Sequence, residues 1–153
     1  MVGEDTKRLI GRLLDGDFNA VPRLITLVEK GSEDVPIIME SLPGDRLGKA
    51  KKIGITGPPG AGKSTLVESI TSHMRQDKLK VGILVIDPSS PFTGGAILGD
   101  RVRMSDHYLD QDVFIRSIAT RGASGGLSEV VQRAIKILDA AGVLSGLETL
   151  QQF

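Results

Sequence analysis

The stretch Lys51-Lys-Ile-Gly-Ile-Thr-Gly57-Pro-Pro-Gly-Ala-Gly-Lys-Ser64 joins a short apolar run to a glycine-rich turn. The residues that follow, Thr65-Leu-Val-Glu-Ser-Ile70, place their apolar side chains at helical spacing. Gly57, Gly60 and Gly62 allow the backbone to curl without side-chain obstruction, so that successive N–H groups point inward, where phosphate oxygens can bind. The stretch therefore predicts a strand, a phosphate-binding loop and a helix, in that order.

The turn matches the P-loop pattern GxxxxGK(S/T). Lys63 is expected to reach the β and γ phosphates of a nucleoside triphosphate, and the Ser64 hydroxyl to ligate Mg²⁺, which prefers hard oxygen ligands. Thr65 either joins this site or bonds to the backbone as a structural hydroxyl, which is the favoured interpretation. A plain Gly-Pro turn with a solvated lysine is the alternative, but it gives no reason for a lysine and a hydroxyl side by side. Nucleotide contacts are predicted from Gly57, Pro58, Pro59, Gly60, Ala61, Gly62, Lys63, Ser64 and Thr65.

Two carboxylates are candidates for the magnesium shell. Asp87 ends the apolar run 81–86, at the sheet edge where open α/β folds bind ligands, although it could also only start the turn at Pro88. Asp100 could be a second carboxylate near the metal, or the N-cap of a helix over 101–109, which its spacing favours. The stretch between the two aspartates is rich in proline, serine and glycine and predicts a long functional loop. Four arginines could stabilise phosphoryl-transfer charge or be ordinary surface residues: Arg101, Arg103, Arg116 and Arg121.

The rest of the chain alternates short apolar runs with longer helical patterns, which predicts βαβ units and a parallel sheet. Strands are expected near 52–57, 80–86 and 113–118, and helices over 62–76 and 127–141. Apolar residues at helical spacing also predict short helices before residue 48, with a stop at Gly31 and Pro36 in a first turn. Residues 1–48 are therefore predicted to be a helical extension that either covers one face of the sheet or forms a separate docking module.

The charge balance and the composition exclude several classes of protein. Lysine plus arginine and aspartate plus glutamate number 19 each, so no overall positive field exists to hold nucleic acid or an anionic membrane. The chain has no cysteine, which excludes disulfides and thiolate chemistry. It also lacks an apolar run of signal-peptide or bilayer-spanning length, so a soluble, cytoplasmic protein is expected, with neither nucleic acid nor membrane as partner.

Four segments occur in a fixed order: Gly57 to Ser64, Asp87-Pro-Ser-Ser-Pro-Phe-Thr-Gly-Gly-Ala96, Leu98-Gly-Asp-Arg101 and Ala119-Thr-Arg-Gly122. With them the chain resembles the MeaB/ArgK family of P-loop GTPases over residues 5 to 142. The resemblance implies an α/β fold of the P-loop NTPase type, a three-layer arrangement of a parallel sheet flanked by helices. It also implies a core over 49–142, incomplete in this chain, and a divergent tail over 143–153.

Members of this family look like chaperones of adenosylcobalamin-dependent mutases, chiefly methylmalonyl-CoA mutase. The resemblance implies GTP and GDP as ligands, Mg²⁺ as cofactor, such a mutase as partner, and homodimers among full-length relatives. Lys63 and Ser64 would hold phosphate and magnesium, and Asp87 and Asp100 would belong to the magnesium shell. Lys63, Asp87 and Asp100 are accordingly the predicted catalytic residues, and the loop from Asp87 to Asp100 is a predicted switch.

The carboxyl end departs from the family pattern. After Asp139-Ala-Ala-Gly142 the family continues with an apolar strand ending in Glu-Thr-Val-Gly-Val-Gly-Gln, whereas here Glu148-Thr149 comes one residue early and no glycines follow. The guanine-reading Asn-Lys-x-Asp motif is absent, because the only asparagine is Asn19. An amino-terminal fragment with a missing or imperfect last strand is therefore expected. The alternatives to a regulatory GTPase are a small-molecule nucleotide kinase and a catalytically incomplete nucleotide-binding fragment.

Overall fold

A computed structural model of the chain describes residues 2–58, 60–87, 107, 109–119, 128–143 and 145–151. These residues fall into two compact units, Met1–Ala50 with Leu127–Val143, and Lys51–Gly126 with Leu144–Phe153. The elements, in chain order, are α1 (Val2–Leu14), α2 (Ala20–Glu29), α3 (Val35–Ser41), β1 (Lys51–Gly57), α4 (Lys63–Gln76), β2 (Val81–Asp87), β3 (Val113–Ala119), α5 (Glu129–Ala140) and β4 (Ser145–Gln151).

The first unit is built around α2. This helix contacts α1, α3 and α5, and its predicted apolar stripe is fully buried: Val21, Leu24, Ile25 and Val28. The predicted helix signals before residue 48 are confirmed, because Gly31 follows α2 with a left-handed φ of +63° and Pro36 lies in the first turn of α3. Of the helices in the described ranges, none combines the length and the apolar character that a membrane crossing needs.

Helix α5 belongs to this first unit, although the sequence analysis placed it in the P-loop core. Its apolar face, including Val131, Ala134 and Leu138, is buried, and the helix contacts α2. A periodic pattern shows that a helix has an apolar face but not which surface the face covers, and this explains the difference. The division of the chain at residues 48 and 142 stays a prediction.

Asp139, near the end of α5, is a buried carboxylate that fixes a loop of the same unit. It accepts hydrogen bonds from the backbone N–H groups of Gly48 at 3.0 Å and Ala50 at 3.2 Å, and the side chain of Arg46 donates to the carbonyl oxygens of Leu14 and Ala140. Buried carboxylates are stable only when hydrogen bonds replace their hydration. The contacts with Asp139 therefore fix the last residues before β1.

We expect Asp139→Ala to lower the free energy of unfolding by about 2 kcal/mol, because two backbone donors lose a charged acceptor. Asp139→Asn keeps one carbonyl oxygen and should lose about half as much. Urea unfolding followed by circular dichroism measures both, with Asp45→Ala, an exposed aspartate of the same loop, as the control. Equal stability of Asp139→Ala and the Asp45 control would show that the two hydrogen bonds contribute nothing.

The second unit holds a parallel sheet in the order β1-β4-β2-β3. Strand β4 pairs with β1 from Lys51↔Ser145 to Gly57↔Gln151 and with β2 on its other side, while β2 pairs with β3 through Asp87↔Ala119. Because the strands are parallel, their carboxyl ends lie along one edge of the sheet. The three strands predicted from the sequence are confirmed within one or two residues of their ends.

A strand does form over Ser145–Gln151, so the last strand is not missing, and it fills a central position of the sheet. Strands β1 and β2 are not neighbours, and each would present unpaired backbone groups to the gap if β4 were absent. Central strands of parallel sheets need no alternating pattern, so the Ser145-Gly146 break does not prevent pairing. The departure from the family motif is therefore a difference in sequence and not the loss of a strand.

One face of the sheet packs against α4. The buried cluster consists of Ile55 of β1, Val67 of α4, and Val81, Ile83 and Val85 of β2, and Ile70 and Met74 of α4 pack against it. The helix runs back over the strands as a βαβ crossover does. Its amino end follows the carboxyl end of β1, which places the glycine-rich loop at the ligand-binding edge of the sheet.

Candidate phosphate-binding site

The glycine-rich loop leaves β1 at Gly57 and enters α4 at Lys63. Gly60 and Gly62 have φ angles of +78° and +87°, in the left-handed region that disfavours residues with a Cβ atom. Gly62 is the N-cap of α4, and its carbonyl oxygen accepts the first helical hydrogen bond, from Leu66 N–H at 3.0 Å. The two glycines are thus required by backbone conformation, as the motif predicted.

The space around these glycines is open. A Cβ atom at Gly60 or Gly62 would meet no atom within 4 Å, whereas one at Gly57 would lie 3.8 Å from the Ala61 Cβ and the Lys63 Cδ. Pro58, Gly60, Ala61 and Gly62 are also exposed. The described part of the loop therefore has room for a group outside its backbone, which a phosphate chain needs.

Lys63 folds back over the loop. Its Nζ donates hydrogen bonds to the carbonyl oxygens of Gly57 at 2.6 Å and Pro58 at 2.8 Å. An ammonium group has three N–H donors, so one donor remains for a phosphate oxygen. An arriving phosphate can also replace the two carbonyls as the acceptor of the other N–H groups. The positive charge also lies at the amino end of α4, where the helix macrodipole favours an anion.

The hydroxyl residues after Lys63 differ in exposure. Ser64 is half-buried in the first turn of α4, whereas Thr65 is exposed. The N–H groups of this first turn have no acceptor inside the helix, so they are available to an anion. Lys63, Ser64 and the first-turn amides therefore lie together at one end of α4.

Asp87, the second predicted metal ligand, is the last residue of β2 and lies at the same sheet edge as Gly57. Only β4 separates β1 from β2, so the two strand ends are about 10 Å apart. Glu148 pairs in register with Gly54 and Leu84, three residues before the edge formed by Gly57. Pro59 and Asp100 lie outside the described residues, so their predicted roles stay predictions.

Of the four candidate arginines, Arg116 is the one that lies within the described residues. Arg116 lies in the middle of β3, opposite Leu84 of β2, and is half-buried. It is three residues from the carboxyl end of its strand, and so away from the edge that carries Gly57. Arg101, Arg103 and Arg121 lie outside the described residues, as do the predicted switch loop between Asp87 and Asp100 and the loop over 120–126.

The structure also shows a polar cluster that the sequence analysis did not predict, at the far end of α4. The Arg75 guanidinium donates to Asp110 from Nε at 2.7 Å, to Asp112 from Nη2 at 3.1 Å, and to the Leu79 carbonyl oxygen from Nη1 at 2.7 Å. Each aspartate lies 35 or more residues from Arg75 in the chain. No local pattern could reveal such contacts, because they depend on how α4 and the segment before β3 meet.

The Arg75 contact changes the ionisation of its partner. The side-chain hydrogen bond from Arg75 holds the pKa of Asp110 below its ordinary value of 3.8, and the backbone N–H of Asp112 acts in the same direction. The same hydrogen bond raises the pKa of Arg75. Both side chains are largely covered, with 18% and 29% of their surface exposed, so the interaction is only partly screened by water.

This pKa shift predicts an acid-sensitive contribution to stability. Since the folded-state pKa of Asp110 is depressed, its contribution is complete above 3.8 and is lost as the pH falls below that value through the folded-state pKa. We expect Asp110→Asn to be less stable than the wild type at pH 7 and to lose less stability between about pH 4 and pH 2. Urea unfolding across this range measures the free energy of unfolding of both proteins. Parallel pH profiles of the two proteins would contradict the prediction.

The sequence is similar to those of known GTPases. The family model of the methylmalonyl-CoA mutase-associated GTPase MeaB matches residues 21–147. A protein of Pyrococcus horikoshii named as a GTPase is 54% identical over 134 residues, which are 88% of this chain and 42% of the relative. The fused isobutyryl-CoA mutase of Geobacillus kaustophilus is 37% identical over 140 residues, which are 86% of this chain and 13% of that protein. The chain thus spans about two fifths of the Pyrococcus relative.

The fold has a counterpart among solved structures. The crystal structure of an LAO/AO transport system kinase superposes with a TM-score of 0.68 at 24% identity, over 96% of this chain and 43% of that chain. This likeness confirms the predicted α/β fold with a parallel sheet and helices. Because the family model covers most of the sequence, the chain belongs to the family of methylmalonyl-CoA mutase-associated GTPases represented by MeaB.

Proposed function

We propose that this chain binds GTP and GDP through the loop from Gly57 to Thr65, with Mg²⁺, as the phosphate-binding part of a regulatory GTPase. The observation that carries the proposal is the position of Lys63, whose ammonium lies over the loop within 2.6 and 2.8 Å of two backbone carbonyls. A cation held there by exchangeable acceptors, beside helix amides that have no acceptor within the helix, suits a phosphate chain.

The residues at the site also fit magnesium. Mg²⁺ binds through few protein oxygens and keeps substrate phosphates and water as its other ligands. Ser64 supplies a hydroxyl oxygen in the first turn of α4, and Asp87 supplies a carboxylate at the end of β2, with Asp100 as a further proposed ligand. When bound, the ion would neutralise charge on the phosphates. This chain's own part is to hold the phosphates with Lys63 and the α4 amides.

We further propose that the nucleotide state is coupled to an adenosylcobalamin-dependent mutase such as methylmalonyl-CoA mutase. The family name and the Geobacillus relative, in which the matching region is fused to isobutyryl-CoA mutase, support this partner. The coupling requires that the GTP and GDP forms bind the mutase with different affinity, because a ligand shifts an equilibrium only through such a difference.

The test is a comparison of GTP, GDP and ATP binding by calorimetry in the presence of Mg²⁺, together with phosphate release from GTP. The proposal expects binding of GTP and GDP. Phosphate release from GTP is expected to be slow. A preference for ATP, with phosphoryl transfer to a small acceptor such as AMP, would replace the GTPase proposal by that of a nucleotide kinase.

A further inference from the structure

Arg75 joins three parts of the second unit with one side chain. Its guanidinium reaches Asp110 and Asp112, just before β3, and the Leu79 carbonyl, just before β2. A second hydrogen bond to Asp110, from Nη2 at 3.3 Å, makes that pair bidentate. The start of β2 is itself bound to the same segment, because Val81 N–H donates to the Asp112 carbonyl at 2.9 Å.

A second polar contact lies one helical turn earlier. The Ser72 hydroxyl and the His107 Nε2 are 3.0 Å apart, and His107 is buried. Residues 72 and 75 are three apart and share a side of the helix. Two neighbouring side chains of α4 therefore hold the same short segment, which includes His107, Asp110 and Asp112.

The amino end of α4 is more exposed than its middle in the described residues. Thr65 is exposed and the Leu66 side chain is 50% exposed, whereas Val67 and Thr71 are fully buried. The apolar contacts of the middle turns are not directional, so they resist separation better than sliding or rotation. Hydrogen bonds are directional and lose strength steeply when displaced. The Arg75 contacts should therefore determine where α4 lies along its axis.

We propose that Arg75 is a positioning residue for the phosphate and magnesium site at the opposite end of α4. A helix is stiff along its axis, and the 11 residue steps from Ser64 to Arg75 span only about 16 Å. Fixing the carboxyl end of α4 against the starts of β2 and β3 fixes the distance of Ser64 and Lys63 from the end of β2, where Asp87 lies. This inference rests on the proposed function, because it assigns Arg75 a role in that site.

Arginine is needed for this role because its planar group reaches several acceptors at once. Arg75→Lys keeps the charge but carries its three N–H donors on one nitrogen, so it cannot bond Asp110, Asp112 and the Leu79 carbonyl in the same way. The control is Arg133→Gln on α5, which removes an exposed ion pair with Glu129. Arg75→Lys and the control can be compared by melting temperature as well as by binding.

The readout is the factor by which Mg²⁺ strengthens GTP binding, measured as the ratio of dissociation constants in EDTA and in Mg²⁺. We expect Arg75→Lys to reduce this factor roughly tenfold or more, since small displacements of binding groups are amplified in affinity. The Arg133→Gln control should keep the wild-type factor. An Arg75→Lys protein that melts earlier but keeps the full factor overturns the proposal and leaves Arg75 with a structural role alone.

A measurement without nucleotide separates this inference from the proposed function. Backbone hydrogen exchange should become faster in Arg75→Lys both at 109–113 and at 60–66, the first turn of α4 with its loop. Faster exchange confined to 109–113 overturns the inference, whatever the wild type binds. Failure of the wild type to bind GTP with or without Mg²⁺ refutes the proposed function instead. If Arg75→Lys does not fold, Asp110→Asn, which removes the charged acceptor that Arg75 bonds with two nitrogens, serves for the same two readouts.

Discussion

Lys63→Ala should weaken GTP binding about a hundredfold. The ammonium is the one side-chain cation that the described loop holds over its backbone, and a hydrogen bond to a charged group contributes about 1.5 to 3 kcal/mol. Since 1.4 kcal/mol corresponds to tenfold in affinity, the loss of such contacts to two phosphates gives a change of this size. Calorimetric titration of both proteins with GTP and Mg²⁺ measures the difference.

The matched control is Lys136→Ala, which removes an exposed lysine of α5 in the other unit. It has the same change in net charge, so any effect of overall charge on nucleotide binding appears in both variants. We also expect Lys63→Ala to keep the wild-type free energy of unfolding within about 0.5 kcal/mol, because the released carbonyls of Gly57 and Pro58 become hydrated. Equal GTP affinity of the Lys63 and Lys136 variants would exclude the loop as the phosphate site.

The second large effect is expected in β4. Thr149 pairs in register with Ile55 of β1 and Val85 of β2, so its backbone lies in the middle of the sheet. Thr149→Pro removes an N–H from a strand that has neighbours on both sides and places a ring against one of them. We expect a loss of roughly 3 kcal/mol or more in the free energy of unfolding.

Thr149→Val is the control for this change. Valine has nearly the shape of threonine and the same preference for strands, and it keeps the backbone donor. Loss of the hydroxyl should cost about 1 kcal/mol, the usual contribution of one hydrogen bond, which is well below the effect expected for proline. If Thr149→Pro unfolds at the same urea concentration as Thr149→Val, then β4 does not form a central strand, and the tail would be the divergent segment that its sequence suggested.

Features that depend on neighbouring residues were predictable from the sequence. The turn glycines at 60 and 62, the lysine after them and the apolar strand before them act through local backbone geometry, so their order is enough to predict the loop. The same holds for α2, where four apolar residues at helical spacing are buried together. In each case the sequence pattern and the observed conformation have the same physical cause.

Features that depend on distant parts of the chain were not predictable. Strand β4 forms because β1 and β2 leave a gap between them, and the sequence of residues 145–151 does not indicate that gap. Helix α5 has an evident apolar face, but only the fold shows that this face packs with the amino-terminal helices. Arg75 and Asp110 are 35 positions apart in the chain, and their pairing depends on how α4 and the segment before β3 meet.

The most direct test of phosphate binding at this loop is the NMR spectrum of the ¹⁵N-labelled chain during titration with GTP and Mg²⁺. Its glycines provide internal references, because Gly16 and Gly31 share the left-handed conformation of Gly60 and Gly62 but lie in the other unit. We predict that the largest amide shifts occur at Gly60, Gly62 and Lys63, while Gly16 and Gly31 do not move. Shifts confined to the first unit, or none at saturating GTP, would contradict phosphate binding at this loop.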